Sequence, residues 1–391
     1  MSLKNGVARA NYKRLGDYIN EVKVRNTELK AKKLLGINID KFFMPSVANV
    51  VGTDMSVYKI VKKNQFACNR MHVGRDYRLP ISMSKVDEEF MVSPAYDVFE
   101  IIDTNILYPE YLMMWFTRRE FDRNAWFYTD ADVRGGLNWK AFCDMQLPIP
   151  SITKQREIVK EYNVIQNRIA LNQQLIQKLE ETAQAIYKQW FVEFEFPDEN
   201  GNPYKSSGGE MVWCEELGKE IPRGWEYGTL FDLIELQRGF DLPAQCREEG
   251  LYPIFASTGT KEKHNDFRVK APGIVTGRSG SLGEVFYVDE DFWPLNTTLW
   301  VKHFKRATPI YSYYVLKGIN IIDYNGGSAV PTLNRNDIHL HQLIIPKMDI
   351  IERNEKIQQV FFKRVNEIGA ESKKLTELKD LLLSKLATIE N

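Results

Sequence analysis

The chain has 391 residues, 43% of them hydrophobic and 27% charged, with 52 Lys and Arg against 52 Asp and Glu. That length exceeds one ordinary domain and suits two, each able to bury its own core. No stretch approaches the roughly 18 apolar residues of a membrane span, so a bilayer location is not expected. Met1-Ser2-Leu3-Lys4-Asn5 runs into polar sequence without the apolar core of a secretory signal, which points to the cytoplasm. Cys68, Cys143, Cys214 and Cys246 are scattered, with no CxxC pair and no histidine at zinc spacing, so neither a disulfide framework nor a structural metal is expected. A net charge of zero does not announce a nucleic-acid partner, whose phosphates usually demand a basic surplus. Distribution matters more than the sum: residues 1–150 carry 22 basic against 18 acidic side chains, 151–221 carry 8 against 12, and 222–346 carry 13 against 14. The acidic excess therefore sits in the connector, and charge permits DNA binding without requiring it.

Residues 1–150 read as a globular unit of mixed α and β structure. Within it, Asn69-Arg70-Met71-His72-Val73-Gly74-Arg75-Asp76-Tyr77-Arg78 places basic and aromatic side chains in alternation. A strand-like run, Phe90-Met91-Val92-Ser93-Pro94-Ala95-Tyr96, follows. Arg70, His72, Arg75, Tyr77, Arg78 and, further on, Arg134 are the candidates of this unit for meeting phosphates and base edges. A solvated charged loop is the competing account of the same residues.

A long helix is expected over 151–196. After Ser151, a suitable N-cap, Ile158, Tyr162, Ile165, Ile169, Ile176, Leu179, Ala183, Ile186 and Trp190 fall on 4-3 heptad spacing, broken only by Asn172. Asn172 fits a polar layer that fixes register. Residues 197–221 form a linker, where Phe196-Pro197-Asp198-Glu199-Asn200-Gly201-Asn202-Pro203-Tyr204 and Ser206-Ser207-Gly208-Gly209 are rich in turn formers.

A second mixed unit is expected over 222–346. Its run from Gly273 to Val288, containing Gly277-Arg278-Ser279-Gly280-Ser281-Leu282-Gly283, reads as strand, tight glycine turn and strand. It lacks the order of a P-loop, and a plain hairpin is the simpler alternative to a ligand-binding turn. Arg278, Ser279 and Ser281 at its tip are candidates for base contact, because a guanidinium can make paired bonds to a guanine edge. Lys261, Lys263, His264 and Arg268 make another basic loop, and Gly326-Gly327-Ser328 with Asn334 and Arg335 a third. His303 and His339 are expected to be structural.

Residues 347–391 repeat the helical pattern through Ile357, Phe361, Val365, Ile368, Leu375, Leu378, Leu382, Leu386 and Ile389, with a polar break at Ser372. The repetition is wider than the helices. Gln146-Leu147-Pro148-Ile149-Pro150 recurs as Gln342-Leu343-Ile344-Ile345-Pro346, displaced by 196 positions, and the same displacement takes Asn138 to Asn334 and Phe142 to Ile338. Tyr12, Leu15, Asp17 and Ile19 are echoed by Tyr227, Leu230, Asp232 and Ile234 at a displacement of 215. Neither apolar stripe can be hidden alone, so an antiparallel coiled coil between two globular units is the simplest closure. The fold class expected is α+β, with two tandem units each followed by a long helix.

Traces of catalysis are missing. There is no Asp/Asn-Pro-Pro-Tyr/Phe tetrad, Walker motif, His-Glu-x-x-His or Gly-x-Ser-x-Gly, and Asn202-Pro203-Tyr204 sits in turn-rich sequence. No metal ligand set is nominated.

With this plan in hand, the chain resembles the specificity subunits of type I restriction-modification enzymes. The resemblance rests on Trp190-Phe191 through Glu195-Phe196-Pro197 to Asn200-Gly201-Asn202-Pro203-Tyr204-Lys205, then Gly208-Gly209, Ile221-Pro222-Arg223-Gly224-Trp225, Gly277-Arg278-Ser279-Gly280-Ser281-Leu282-Gly283 and Pro294-Leu295-Asn296-Thr297-Thr298-Leu299. It extends over nearly the whole chain, least distinctly across 20–65, and the Gly-Arg-Ser-Gly string is absent from the first unit, which has Phe66-Ala67-Cys68-Asn69-Arg70-Met71 at the comparable place. The resemblance implies that each globular unit recognises one half of a split, asymmetric duplex DNA target. It also implies that the helices space the halves and dock two modification subunits, with restriction subunits joining through them. S-adenosylmethionine, ATP and Mg would then belong to those partners, and this chain would bind no cofactor and catalyse nothing. Against this stand an enzyme fragment with its own activity and a coiled-coil adaptor that binds only proteins; sequence-selective duplex binding separates the adaptor from the reader.

Overall fold

A computed structural model describes residues 12–47, 52–71, 73–129, 135–326 and 329–388. The chain divides into two compact units, one built on residues up to Asn172 together with those from Glu371 onward, the other on Gln173–Ala370. The long helices Ile152–Phe191 and Met348–Lys385 each contribute to both.

In the first unit, strand Tyr12–Arg14 pairs antiparallel with Gln146–Pro148, the strand that leads into the first long helix. Between them lies an antiparallel four-stranded sheet in the order Ile19–Val22, Asp97–Ile101, Phe66–Cys68, Ile81–Met83. Strand Phe66–Cys68 is buried at every position, so its run of apolar residues is what the middle of a covered sheet requires. Phe66 and Phe99 stack across the sheet at 5.1 Å, and Phe116 and Phe142 meet them from two helices. The first long helix is fastened to this core by Gln155. Its side chain accepts from Tyr108 N and donates to the carbonyls of Ile106 and Pro150, all at 2.8 Å.

The second unit follows the same plan. Strand Glu226–Thr229 pairs antiparallel with Gln342–Ile345, and the four-stranded sheet runs Ile234–Arg238, Thr298–Phe304, Gly273–Gly277, Val285–Val288. Gly259–His264, Tyr252–Ala256 and Trp293–Pro294 add a three-stranded sheet with no counterpart of the same size among the described residues of the first unit. Glu355 of the second long helix is buried and accepts from Ile310 N and Tyr311 N, in the first turn of helix Pro309–Gly318, and from the Thr308 hydroxyl.

The repetition seen in the sequence has a structural cause. Tyr12 stands opposite Pro148 and Tyr227 opposite Ile344, so the two displacements of the repeat join in one register. Leu15 N donates to Met145 O at 2.8 Å, and Leu230 N to His341 O at 2.9 Å. Asn138 and Asn334 cap short helices, their side chains accepting from Lys140 N and Asn336 N. Phe142 and Ile338, four residues further on, are both fully buried.

Segments of the two long helices lie side by side and antiparallel within each unit. In the first, Arg168 makes a two-pronged contact with Glu371 at 3.0 Å, and Asn172 Nδ2 donates to Ser372 Oγ at 3.1 Å and Glu371 Oε2 at 3.2 Å. The polar breaks of the two stripes thus face each other. In the second, Gln358 donates to Ala183 O at 2.8 Å, and Trp190 and Phe191 share a core with Ile350 and Ile351. Along the expected stripes Asn172, Ile368 and Leu386 are buried, and Ile165, Ile169, Ile176, Leu179, Ile186, Phe361, Val365, Leu375 and Leu382 are half-buried. Ile357 and Leu378 are instead exposed, while Gln358, next to Ile357, and Leu383, next to Leu382, are buried. A helix of 3.6 residues per turn drifts off a strict heptad, and Gln358 turns inward to satisfy the Ala183 carbonyl. Ile389 lies outside the described residues.

His339 is the buried acceptor of the Leu236 N–H, at 2.9 Å through Nε2. Burial holds its pKa below the usual histidine value, and Arg335 and Lys305 press the same way. Below about pH 6.5 the unfolded chain takes up a proton that the folded site resists, so stability falls as pH drops. The urea midpoint of the second unit should therefore fall from pH 7.5 to 5.5 by more in the wild type than in H339Q, which keeps an acceptor without titrating. Equal falls would contradict the assignment.

Candidate nucleic-acid interface

The loop that leaves the middle of each four-stranded sheet carries an arginine. In the first unit Cys68, two residues before Arg70, makes the last pair, with Asp97; in the second Thr276, two residues before Arg278, pairs with Leu299, and one further pair, Gly277 with Thr298, precedes the arginine. One backbone contact is shared. Arg70 O accepts from Leu137 N at 2.9 Å and Arg278 O from Leu333 N at 2.8 Å, and each leucine directly precedes the helix-capping asparagine.

Their side chains are in different chemical states. Arg70 is mostly buried, its Nε 2.6 Å from the Asp97 carboxylate, its Nη1 on the Leu137 carbonyl and its guanidinium 5.5 Å from the Trp139 ring centroid. Cys68 beside this pair is wholly buried, and burial, reinforced by Asp97, pushes its thiol far above the usual range, so it stays neutral. Arg278 has only a 3.4 Å contact from Nη1 to the Asn296 carbonyl, and among the described residues no carboxylate pairs with it. Leu299 stands where the first unit has Asp97, which leaves the Arg278 head without an anchoring charge.

The frame around Arg278 is rigid. A Cβ on Gly277 would collide with the carbonyl oxygen of Ser281, and Gly280 takes a φ of +91°, which glycine tolerates and other residues resist. Arg278 N and Ser279 N both donate to Thr297 O, at 2.8 and 3.1 Å, and Gly280 N donates to Pro331 O at 3.0 Å. The segment 278–281 is thereby bound to 296–297 and to 331–333, so the structure gathers Arg278, Ser279, Ser281, Asn334 and Arg335 into one surface. Within it the Asn334 side-chain oxygen is already occupied as a helix cap, and Arg335 is exposed.

The other basic loop of this unit divides. Lys261 and Lys263 are exposed on the edge strand Gly259–His264, with Lys263 3.7 Å from Glu290, and charged side chains there also protect an open sheet edge. His264, expected at the surface, is buried: its ring lies edge-on to Trp293 and its Nδ1 is 3.2 Å from Glu248 N. Arg268 covers the outer side of the same Trp293 ring at 4.6 Å. His264 is thus taken up by packing, because the strand that exposes Lys261 and Lys263 ends by turning its last side chain inward.

In the first unit, His72 and Arg134 lie outside the described residues. Arg75 is exposed but doubly bonded to the neighbouring Asp76, and Arg78 reaches Asp40 at 2.8 Å. Tyr77 is exposed with a φ of +55° and meets Trp126 edge-on at 5.3 Å. The strand Phe90–Val92 is wholly buried and forms no part of the surface. Gly74 N donates to Gly135 O at 2.8 Å, and a Cβ on Gly74 would come within 2.8 Å of the Gly135 backbone, so only glycines let these loops touch. The sequence reading passed over Trp126, Phe127 and Tyr128, all exposed at the end of helix Arg119–Phe127. The available signal was an aromatic run on a helix whose apolar requirement Phe121 and Ala125 already satisfy. Among the described residues no group of three or more His, Cys, Asp or Glu converges as a metal site would need, and no helix is long and apolar enough to cross a membrane.

Residues 222–380 match the family model described as type I restriction modification DNA specificity domain. The chain is 25% identical over 287 residues to the type I restriction enzyme MjaIX specificity subunit of Methanocaldococcus jannaschii, a match spanning 65% of this chain and 64% of that one. It is 23% identical over 425 aligned positions to the type I restriction enzyme HindI specificity subunit of Haemophilus influenzae, covering 89% of this chain and 91% of that one. The fold is similar to the crystal structure of a type I restriction-modification system S subunit from M. genitalium, with a TM-score of 0.61 at 15% identity over 100% of this chain and 99% of that one.

The unequal states of the two arginines have a measurable consequence. R70A leaves Asp97 buried without its partner and should cost on the order of 3 kcal/mol of unfolding free energy. R278A removes no ion pair and should stay within about 0.5 kcal/mol of the wild type. Comparable losses in denaturant titrations of the two variants would refute the distinction.

Proposed function

We propose that the chain is a specificity subunit of a type I restriction-modification enzyme and reads an asymmetric, two-part DNA target, one part with each unit. In this reading it is the non-catalytic subunit of a cytoplasmic complex. The long helices hold the spacing and dock two modification subunits that methylate adenine N6, and restriction subunits join through those. S-adenosylmethionine, ATP and Mg act on the partners.

The observation that carries the proposal is one scaffold presenting two unlike chemistries at the same loop. Arg278, which meets no carboxylate among the described residues, offers parallel N–H donors to the O6 and N7 of a guanine, whereas Arg70 is spent on Asp97. Two units with equivalent closing strands and different loops would read different bases. The first long helix runs 40 residues without a break, about 60 Å at the usual rise, and neighbouring equivalent faces of a duplex repeat about every 34 Å. A continuous helix of that length suits a spacer. Apolar side chains left exposed on the helices, Val164 and Leu171 in the first unit and Ile357 and Val360 in the second, suit the docking of protein partners.

Exchange of residues 222–346 for the corresponding domain of a relative with another target should alter one half of the recognised sequence and leave the other unchanged; altered preference in both halves would refute the division of labour. R278A should weaken binding to the target duplex by about 1–3 kcal/mol and relax selection at one base pair. Retained selection at every position would return Arg278 to the scaffold. Binding that is blind to sequence at moderate salt would favour a protein-binding adaptor.

A further inference from the structure

Helix Arg119–Phe127 has two faces with different occupations. Phe121 and Ala125 are buried in the core of the first unit, and Asp122 binds Lys41 at 2.7 Å and Leu79 N at 3.1 Å, so the inner face is fixed. Arg119, Arg123, Trp126 and Phe127 follow at i, i+4, i+7 and i+8, which puts them on one stripe of the opposite face. All four are exposed, Phe127 at 79%, and among the described residues no carboxylate pairs with Arg119 or Arg123. The stripe is continuous with the loop that follows Arg70. The Tyr77 ring touches Trp126, and Phe127 meets the exposed Tyr128 edge-on at 5.4 Å. A small unit that turns so many aromatic rings to water has something to cover them.

We propose that this stripe is the part of the first unit that meets duplex DNA, with Arg119 and Arg123 on phosphates and Trp126 and Phe127 against the bases. The inference rests on the DNA-reading function proposed above and supplies the first unit with a contact in place of Arg70, which is withdrawn onto Asp97. Charge chooses the occupant. Two guanidinium groups one helical turn apart that meet no carboxylate among the described residues, next to flat apolar rings, complement a polyanion whose groove displays thymine methyl groups. The first half of the target is then read mainly through aromatic contact and the second mainly through an arginine.

Duplexes enriched from a random library by the full chain provide the probe, and circular dichroism melts confirm that each variant folds. R119A/R123A should lower affinity for enriched and random duplexes alike and flatten the dependence of log K on log salt by about 2, one phosphate per arginine. F127A should lose about tenfold on the enriched duplex only, with relaxed selection in one half and an unchanged salt slope. Wild-type affinity, selection and salt slope in all variants would overturn the proposal. So would variants that bind DNA normally and lose only a modification subunit, which would make the stripe a protein contact. If the wild type enriches no sequence, the DNA-reading function itself falls; if it does and the variants match it, only the role of this helix falls.

Discussion

The structure depends on a short backbone clasp in each unit. The first strand of the unit lies antiparallel to the last, Tyr12–Arg14 on Gln146–Pro148 and Glu226–Thr229 on Gln342–Ile345, and the last strand runs within a few residues into a long helix. Unpaired backbone groups are costly to bury, so this pairing ties the entry and exit of the chain together at the root of the helix. Side chains on the helix complete the joint. Gln155 and Glu355 reach into their own units and satisfy backbone donors at the start of the helices beginning at Pro109 and Pro309. Burial raises the pKa of Glu355, and the three hydrogen bonds it accepts only partly oppose that effect. Each sheet, and the loop leaving its middle, is in this way held to the helix it feeds.

On this shared frame the two units have diverged where it costs least. Leu299, opposite the residue two before Arg278, offers that arginine no charge, and Asp97, opposite the residue two before Arg70, immobilises the other. The arginine carbonyl accepts from the equivalent leucine N–H in both units, so the arginine's partner changes without a change in this contact. The neutral net charge follows the same logic. Affinity for a polyanion would come from a few guanidinium groups left without partners, while most surface arginines, such as Arg75, Arg78 and Arg306, face a carboxylate.

Much of the frame was legible in the sequence because it is made of repeated local signals. The string ending in Pro150 and Pro346 marks the closing strand, Asn138 and Asn334 are visible as caps before apolar runs, and heptad spacing reveals both long helices. The surface was less legible, because whether a polar side chain is available depends on partners far along the chain. Arg70 is claimed by Asp97, 27 residues away, His264 by a turn at Glu248, and Asn334 by the helix it starts. The aromatic stripe ending at Phe127 was missed for the opposite reason: an aromatic residue in an amphipathic helix is ordinarily core, and only the packing of Phe121 and Ala125 reveals that the core is already filled. Ile357 and Leu378 went astray because a heptad template is rigid and a helix is not.

The central claim is that two unlike surfaces on equivalent frames each read their own bases. Missing-nucleoside interference on a bound duplex tests it directly, because it reports every base whose removal weakens the complex. The account predicts two clusters of sensitive bases, different in sequence, separated by positions whose removal has no effect. A single uninterrupted cluster, or two clusters with the same sequence in inverted order, would contradict it.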